Sequence, residues 1–461
     1  MSSSLSDTID RAFERICTAF RDTARGAREA VGVPLRPDLP EDDVARLKTR
    51  IDVCLEGKGG ETARRGRAAE LGQVYLGLSA LGRQRFLLTL AHHYGLSREL
   101  ALEVVAQWRA DSAPTQALRT ALEAPAVRLL REFVSLPQGV KFVVDVRAEL
   151  LELGKDDAAA RTLCDELRPT LSAWFDVGFL DLVRIDWSAS AALLEKLVAY
   201  EAVHAIRSWR DLKNRLDSDR RCFAFFHPRM PDEPLIFVEV ALVNGLADNV
   251  QRLLDARAET HDPRAADTAI FYSISNCQQG LAGISFGNFL IKRVAEQLAG
   301  ELPRLKHFAT LSPMPGLRQY IERRFSEDGD AVLTSSELTS LAPVVTSVAE
   351  LAALLAQAGW WEQVASERVL RPVLLRLAVA YLTSIDARGM ALDRVAHFHL
   401  GNGALVERVN WLADTSANGL KQSYGMMVNY RYKLSEVDAN HEAYANGRIV
   451  ASREVRTLGK T

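Results

Sequence analysis

A glycine-rich loop is the most informative feature of this chain. Residues 270–275 alternate in the manner of a strand, and residues 286–298 carry apolar side chains at helical spacing, with Gly280, Gly283 and Gly287 at or near the junction. The first amides of a helix have no intrahelical partner, and the helix dipole favours an anion beside them. Glycine also lets a phosphate approach the backbone closely. The pattern therefore indicates a cradle for the pyrophosphate of a nucleotide or of coenzyme A (CoA).

The spacing of these glycines matches neither of the two commonest phosphate motifs. A dinucleotide fold needs G-x-G-x-x-G and a Walker loop needs G-x-x-x-x-G-K-[ST]. This loop has glycines at intervals of three and four residues, and no Lys-Ser or Lys-Thr pair follows them. On the glycines alone, a tight turn that only packs a helix against a strand is equally compatible.

Ser312 directly follows a short strand-like run, residues 307–311, and precedes the turn P-M-P-G at 313–316. Two prolines and a glycine force the chain to turn away, so the hydroxyl is presented at the end of a strand. The surroundings lack the G-x-S-x-G elbow of α/β-hydrolases. A serine placed in this way can act in catalysis, although capping a turn is its commoner role.

Residues 395–400 alternate between two faces, which predicts a strand that projects His397 and His399 to the same side. Two imidazoles on one face can bind a metal, but no further ligands at metal-binding spacing accompany them. Histidine titrates closest to neutral pH, so one of the pair is a candidate proton donor. A buried histidine with a structural hydrogen bond is the alternative.

Another strand-like run begins at Met426 and places Tyr430 and Tyr432 on one face. Tyrosines on a half-buried strand are usually packing residues. A phenol directed at a reaction site is the alternative for either side chain.

Composition narrows the classes of partner. The chain of 461 residues has 57 Lys and Arg against 59 Asp and Glu, so no general basic field attracts a nucleic acid or an anionic membrane. The five cysteines are scattered without a C-x-x-C pair, which suits a reducing compartment and shows no metal site. No apolar run reaches the length of a membrane-spanning helix. We therefore expect a cytoplasmic protein without nucleic-acid or membrane partners and without a metal.

The chain divides into two regions by its periodicity. Residues 1–172 are rich in Ala, Leu, Arg and Glu and predict amphipathic helices that serve in oligomerisation or as a scaffold. Residues 173–461 predict a mixed α/β domain in which residues 326–390 form a helical insertion. The strand-like runs are 222–226, 235–243, 270–275, 307–311, 395–400 and 426–433.

Several ordered strings of this second region resemble the malonyl-CoA decarboxylase family. They are F-Y-S-I-S-x-x-Q-Q-G-L-x-G-I-x-x-G-x-F-L-I-K at 271–292, L-S-P-M-P-G at 311–316, F-H-L-x-N-G-A at 398–404, N-W-L-A-D at 410–414 and M-V-N-Y-R-Y at 427–432. The string E-A-V-H at 201–204 extends the likeness upstream. The resemblance covers most of residues 173–461.

The resemblance implies an α+β fold: an all-α domain over residues 1–172, then a catalytic domain over 173–461 similar to the GNAT acyltransferases. It implies decarboxylation of malonyl-CoA to acetyl-CoA and CO2, with Ser312, His399 and Tyr432 in the active site. The CoA-binding positions it implies are Gln279, Gly280, Ala282, Gly283, Ile284, Ser285, Phe286, Gly287 and Asn288. Relatives can carry glutamate where this chain has Ser285, so another group must supply that contribution here, or the contribution is dispensable.

The implied reaction needs no cofactor, because the thioester itself accepts the electrons released with CO2. The resemblance also implies a homo-oligomer, a tetramer, assembled through the helical domain. Two other functions remain open on the residues alone: an N-acyltransferase that uses the same CoA cradle, and a non-catalytic acyl-CoA sensor. A serine thioesterase is disfavoured by the missing elbow and by the lack of an obvious acidic partner for His399.

Overall fold

The computed structural model describes residues 4–25, 34–284, 290–362 and 364–459. Its first part is helical. The helices are α1 (Ser4–Arg25), α2 (Glu41–Leu55), α3 (Glu61–Leu76), α4 (Ala80–His93), α5 (Arg98–Arg109), α6 (Thr115–Ala121), α7 (Pro125–Val134), α8 (Gly139–Leu153) and α9 (Ala158–Trp174). Several begin at a side-chain cap, as at Ser79, Ser97 and Asp157, each of which accepts a hydrogen bond from the amide three residues later.

The second part mixes strands and helices. It contains β1 (Asp181–Ile185), α10 (Ala191–Tyr200), α11 (Trp209–Arg215), β2 (Arg220–His227), β3 (Met230–Val243), α12 (Val250–Leu253), β4 (Thr268–Asn276), α13 (Leu290–Glu301), β5 (His307–Thr310) and β6 (Ser312–Pro313). It continues with α14 (Leu317–Asp328), α15 (Ser335–Leu341), α16 (Val348–Leu355), α17 (Val364–Thr383), α18 (Arg394–Gly401), β7 (Leu405–Asn410), α19 (Ala417–Ser423), β8 (Met427–Arg431), α20 (Val437–Ala445) and α21 (Arg453–Leu458).

The strands form one sheet in the order β1-β2-β3-β4-β5-β8-β6, and β7 pairs with the other side of β8. Neighbours are antiparallel except for β4 and β5, which run parallel from the pair Thr268 and His307 to the pair Phe271 and Thr310. Helix α13 lies between these two strands in the chain, as a parallel connection requires.

The parallel pair diverges next to Ser312. After Phe271 accepts a hydrogen bond from the Leu311 amide, β4 continues alongside β3 to Asn276. The chain that follows β5 turns instead to β8, where Ser312 pairs with Val428. Pairing between the two strands therefore ends here, which leaves a gap in the hydrogen bonding of the sheet, and Ser312 lies at the edge of that gap.

The helical region packs directly on the sheet region, and the largest of three hydrophobic clusters among the described residues extends from Ile16 in α1 to Val455 in α21. A methyl group on Gly280 would lie 1.8 Å from the carbonyl oxygen of Val144 in α8. The loop after β4 is therefore in backbone contact with the helical region.

The predicted fold class is confirmed: a helical region precedes a mixed α/β region, and α15, α16 and α17 lie within the predicted helical insertion. The strand predicted over residues 395–400 is wrong, since these residues belong to α18. Asp393 caps that helix by accepting hydrogen bonds from the amides of Val395 and Ala396 at 2.8 Å each. Strands β1 and β7 were not anticipated from the sequence.

Candidate active site

Ser312 and His399 meet in the interior although they are 87 residues apart in the chain. The serine Oγ lies 3.1 Å from Nε2 of the imidazole, and the two residues are only 5% and 3% exposed. The divergence of β4 and β5 presents the serine, and α18 presents the histidine. Their approach creates a buried hydroxyl–imidazole pair, which sequence spacing could not have established.

Tyr430 in β8 and Tyr432, directly after β8, both contact this imidazole. The Tyr432 hydroxyl lies 2.8 Å from Nδ1 of His399, and the Tyr430 ring stacks on the imidazole with the ring centres 4.6 Å apart. The predicted strand and its shared face therefore place both rings at His399. Each nitrogen of the imidazole has a hydroxyl partner, which fixes the orientation of the ring.

His397 does not share this environment. Because residues 394–401 form a helix, successive positions rotate by about 100° and two residues separated by one position point in different directions. Nδ1 of His397 lies 2.7 Å from the Tyr444 hydroxyl. The expectation that the two histidines project from one face is therefore wrong.

Thr310 is a site residue that the sequence did not reveal. The Ser312 hydroxyl donates to Oγ1 of Thr310 at 2.8 Å, and the Tyr430 amide donates to the same oxygen at 3.0 Å. The Asn429 side chain donates to the Thr310 carbonyl oxygen at 2.6 Å. One sequence signal could have revealed Thr310: it lies two residues before Ser312 in an extended segment, and residues at that spacing share a face.

The electrostatics of the pair follow from its burial. Burial lowers the pKa of His399 to about 3, so the imidazole is neutral at neutral pH. Burial also raises the pKa of Tyr432 well above its usual value, so the phenol remains protonated. A carboxylate brought beside this imidazole would favour its charged form and raise the histidine pKa. The site can therefore acquire a proton together with an anionic ligand.

Helix α17 connects the serine turn to the histidine helix. The Tyr381 hydroxyl donates to Oδ2 of Asp393, the cap of α18, at 2.9 Å. A methyl group on Gly316, at the end of the turn after Ser312, would lie 2.4 Å from the same hydroxyl. Glycine at 316 therefore lets the serine turn approach Tyr381 closely.

The described part of the glycine loop begins with a 3-10 turn, Gln279–Leu281. Gly280 and Ile284 are buried, whereas Ala282 and Gly283 are exposed. Gly283 has a φ of +72°, a left-handed conformation that glycine adopts without strain. The predicted CoA-binding residues Ser285, Phe286, Gly287 and Asn288 lie outside the described residues.

The site shows no metal centre within the described ranges, where no three His, Cys, Asp or Glu side chains are grouped for an ion. In the same ranges no helix is both long enough and apolar enough to cross a membrane.

Comparison with known proteins assigns the family. The model of the malonyl-CoA decarboxylase C-terminal domain matches residues 178–461, and the model of the N-terminal domain matches residues 94–175. The chain belongs to the malonyl-CoA decarboxylase family. Membership makes it a carboxy-lyase, as the resemblance of the sequence strings implied.

Named relatives and solved structures agree with this family. The chain is 36% identical to the mitochondrial malonyl-CoA decarboxylase of Anser anser anser over 412 residues, which is 84% of this chain and 82% of the relative. It is 36% identical to that of Rattus norvegicus over 449 residues, covering 92% and 89%.

Crystal structures of malonyl-CoA decarboxylases from Rhodopseudomonas palustris and Agrobacterium vitis both superpose with a TM-score of 0.81, at 40% and 39% identity. Each comparison covers 90% of this chain and 99% of the other. The malonyl-CoA decarboxylase fold thus includes both the helical region and the sheet.

Proposed function

We propose that the chain decarboxylates malonyl-CoA to acetyl-CoA and CO2 at the buried pair formed by Ser312 and His399. The observation that carries this proposal is the position of the pair at the edge of the gap between β4 and β6. The gap opens at the end of the parallel pairing, and β4 continues from there towards the glycine loop. A long, thin thioester arm can enter such a gap while its phosphates remain at the loop.

The loop is the proposed CoA site, comprising Gln279, Gly280, Ala282, Gly283 and Ile284 and continuing through the family positions Ser285, Phe286, Gly287 and Asn288. The exposed backbone at Gly283 supports a close approach by an anion. The pantetheine arm would then follow the edge of β4 that faces away from β3.

In the first step the bond between the carboxylate carbon and the α-carbon breaks. Its electrons pass to the thioester carbonyl, giving an enolate, and CO2 leaves. Ser312 would hydrogen-bond the carboxylate and turn the breaking bond to overlap the carbonyl π-system. Backbone N–H groups at the gap would stabilise the negative charge on the enolate oxygen, which is the most effective form of catalysis for such an intermediate.

In the second step His399 delivers a proton to the α-carbon. The buried imidazole is neutral in the absence of substrate, and the malonyl carboxylate would raise the histidine pKa when it binds. The proton thus enters with the substrate and is available when the enolate forms. Tyr432 would keep the imidazole oriented through its contact with Nδ1.

Ser285 stands where relatives can carry glutamate, and the Ser312 hydroxyl has another polar partner here. Thr310 accepts the hydrogen bond of Ser312, and its own oxygen is held by the Tyr430 amide. Thr310 can therefore orient the serine without a carboxylate.

We also propose that residues 1–172 form an oligomerisation domain and that residues 173–461 form the catalytic domain. The helical region exposes large apolar side chains on and after α5, namely Leu100, Leu102, Trp108 and Leu122, at 52%, 61%, 42% and 55%. These side chains lie on elements that are consecutive in the chain, and an interface would remove them from water. A homo-oligomer, with a tetramer as the expected size, would cover them. The cytoplasmic location stays a prediction.

The decisive experiment measures CO2 and acetyl-CoA formed from malonyl-CoA by the purified protein, without added metal or cofactor. Ser312→Ala and His399→Ala should each lower turnover at least about a hundredfold, the usual contribution of a positioned acid or base. His397→Ala is the matched control, because its imidazole contacts Tyr444 and lies outside the proposed site. It should keep most of the activity.

Turnover near that of the wild type in either site variant would contradict the assignment of that residue. CoA binding without any CO2 release would exclude decarboxylation and return the N-acyltransferase and the acyl-CoA sensor to consideration. A trapped acyl-serine at Ser312 would instead indicate thioester hydrolysis.

A further inference from the structure

Arg147 is a buried arginine in the helical region that reaches the glycine loop. It lies in α8 and is 1% exposed. Its Nη1 donates to the carbonyl oxygen of Gly280, and to that of Ala282 at 3.0 Å. A side chain 133 residues upstream in the chain thus holds two peptide groups of the loop.

The charge of this arginine has no carboxylate partner within ion-pair distance in the described part of the chain. The acidic residues nearest in sequence, Asp145 and Glu149, pair with Lys141 and Arg83. The Nε atom of Arg147 also has no hydrogen-bond partner there. Burial of a charged group is costly unless an opposite charge compensates it. A bound anion near the loop would provide that compensation.

The contacts of Arg147 also orient the loop towards such an anion. The described peptide bonds are trans, so a peptide whose carbonyl points at Arg147 directs its N–H to the opposite side. Ala282 and Gly283, which share the second of these peptides, are both exposed residues. A Cβ at Gly283 would meet no atom of the described residues within 4 Å, so a ligand has room to approach the backbone there.

We infer that Arg147 is a positioning residue for the CoA phosphates. It fixes the peptide that presents the Gly283 amide, and its charge is neutralised when the pyrophosphate binds on the far side of that peptide. The inference rests on the proposed CoA site and deepens it, since it makes the helical region part of the substrate site.

The test compares malonyl-CoA with malonyl-pantetheine, which carries the same thioester but no nucleotide phosphates. Arg147→Met removes the charge and the two hydrogen bonds to the loop while keeping most of the length of the side chain. Because the peptide that presents the Gly283 amide would no longer be held, KM for malonyl-CoA should rise about tenfold or more, which corresponds to about 1.4 kcal/mol. The kcat, and kcat/KM for malonyl-pantetheine, should stay within about twofold, because the reacting groups are untouched.

Two other variants complete the design. Arg147→Lys keeps the positive charge but loses the planar guanidinium with its several N–H donors. Compared with Arg147→Met, it should therefore recover part of the affinity for malonyl-CoA. Arg85→Met is the matched control: Arg85 also lies in the helical region and donates to two carbonyl oxygens, those of Asp38 and Leu39, away from the loop. It should leave both substrates unaffected.

An equal loss on both substrates in Arg147→Met would indicate general structural damage and overturn the inference. Unchanged KM for malonyl-CoA would overturn it as well. If Arg147→Met does not fold, the inference is tested instead by measuring amide hydrogen exchange in the wild-type protein with and without ligand. CoA, but not pantetheine, should slow exchange of the α8 amides around Arg147, and equal effects of the two ligands would refute the inference. The affinity of the wild type and of Arg147→Met for CoA can also be compared by calorimetry, which needs no turnover. Weaker binding of CoA by the variant is expected even if decarboxylation is not observed.

Discussion

Acidification should destabilise the folded chain through His399 by a predictable amount. The imidazole has a pKa of about 3 when folded, against 6.5 for an unperturbed histidine. Below pH 6.5 the His399 imidazole is protonated in the unfolded chain, whereas in the folded chain it stays neutral down to about pH 3. The stabilisation is therefore complete above pH 6.5 and is lost as the pH falls through this window. At about pH 5 the loss is 1.5 pH units at 1.36 kcal/mol each, or about 2 kcal/mol.

The assay is a comparison of two proteins at two pH values. The free energy of unfolding in urea is measured for the wild type and for His399→Gln at about pH 7.5 and pH 5.0. Other histidines whose pKa is lowered by burial, such as His204 and His227, are present in both proteins and cancel in the comparison. The wild type should lose about 2 kcal/mol more than the variant on acidification.

An equal loss in the two proteins would refute the reasoning, because it would mean that His399 titrates alike in the folded and unfolded chains. Nuclear magnetic resonance provides a direct check. The imidazole signal that is missing in His399→Gln should show no titration between about pH 8 and pH 5 in the wild type. A midpoint near the unperturbed value would show that the pair formed with Ser312 is open to water.

Two further predictions concern residues that hold the proposed pair, Ser312 and His399. Thr310→Val should lower kcat about tenfold or more, because the Ser312 hydroxyl loses its acceptor and the Tyr430 amide is left unpaired, whereas Thr310→Ser should retain turnover; equal losses in steady-state assays would contradict this role. Asp393→Ala should lower the free energy of unfolding by about 2–4 kcal/mol, because a helix cap and the partner of Tyr381 disappear together. Asp393→Asn should lower the free energy of unfolding by less than half as much as Asp393→Ala, because asparagine can still cap the helix. Equal losses for the two variants in urea unfolding would argue against the capping role.

Local sequence signals predicted the parts of the site that depend on local geometry. The change from alternating to helical spacing around the glycine loop and the turn after Ser312 needed only neighbouring residues, and β4, β5 and the start of the loop lie where they were expected. The strand prediction for 395–400 failed because six residues are too few to separate alternation from helical spacing: the residues that are buried, Ala396, His399 and Leu400, follow helical steps. The cap at Asp393, two residues before it, was the local signal that favoured a helix.

Short segments of the chain were enough to indicate the family, the candidate serine and histidine, and the loop, because ordered motifs and backbone preferences are local properties. The folded chain was needed to find the contacts of Thr310 with Ser312 and of Tyr381 with Asp393, the contacts of Arg147 with the loop, and the burial that keeps His399 neutral. Those properties come from contacts between residues distant in the chain and from the exclusion of water. Neither exists until the helical region and the sheet have packed together.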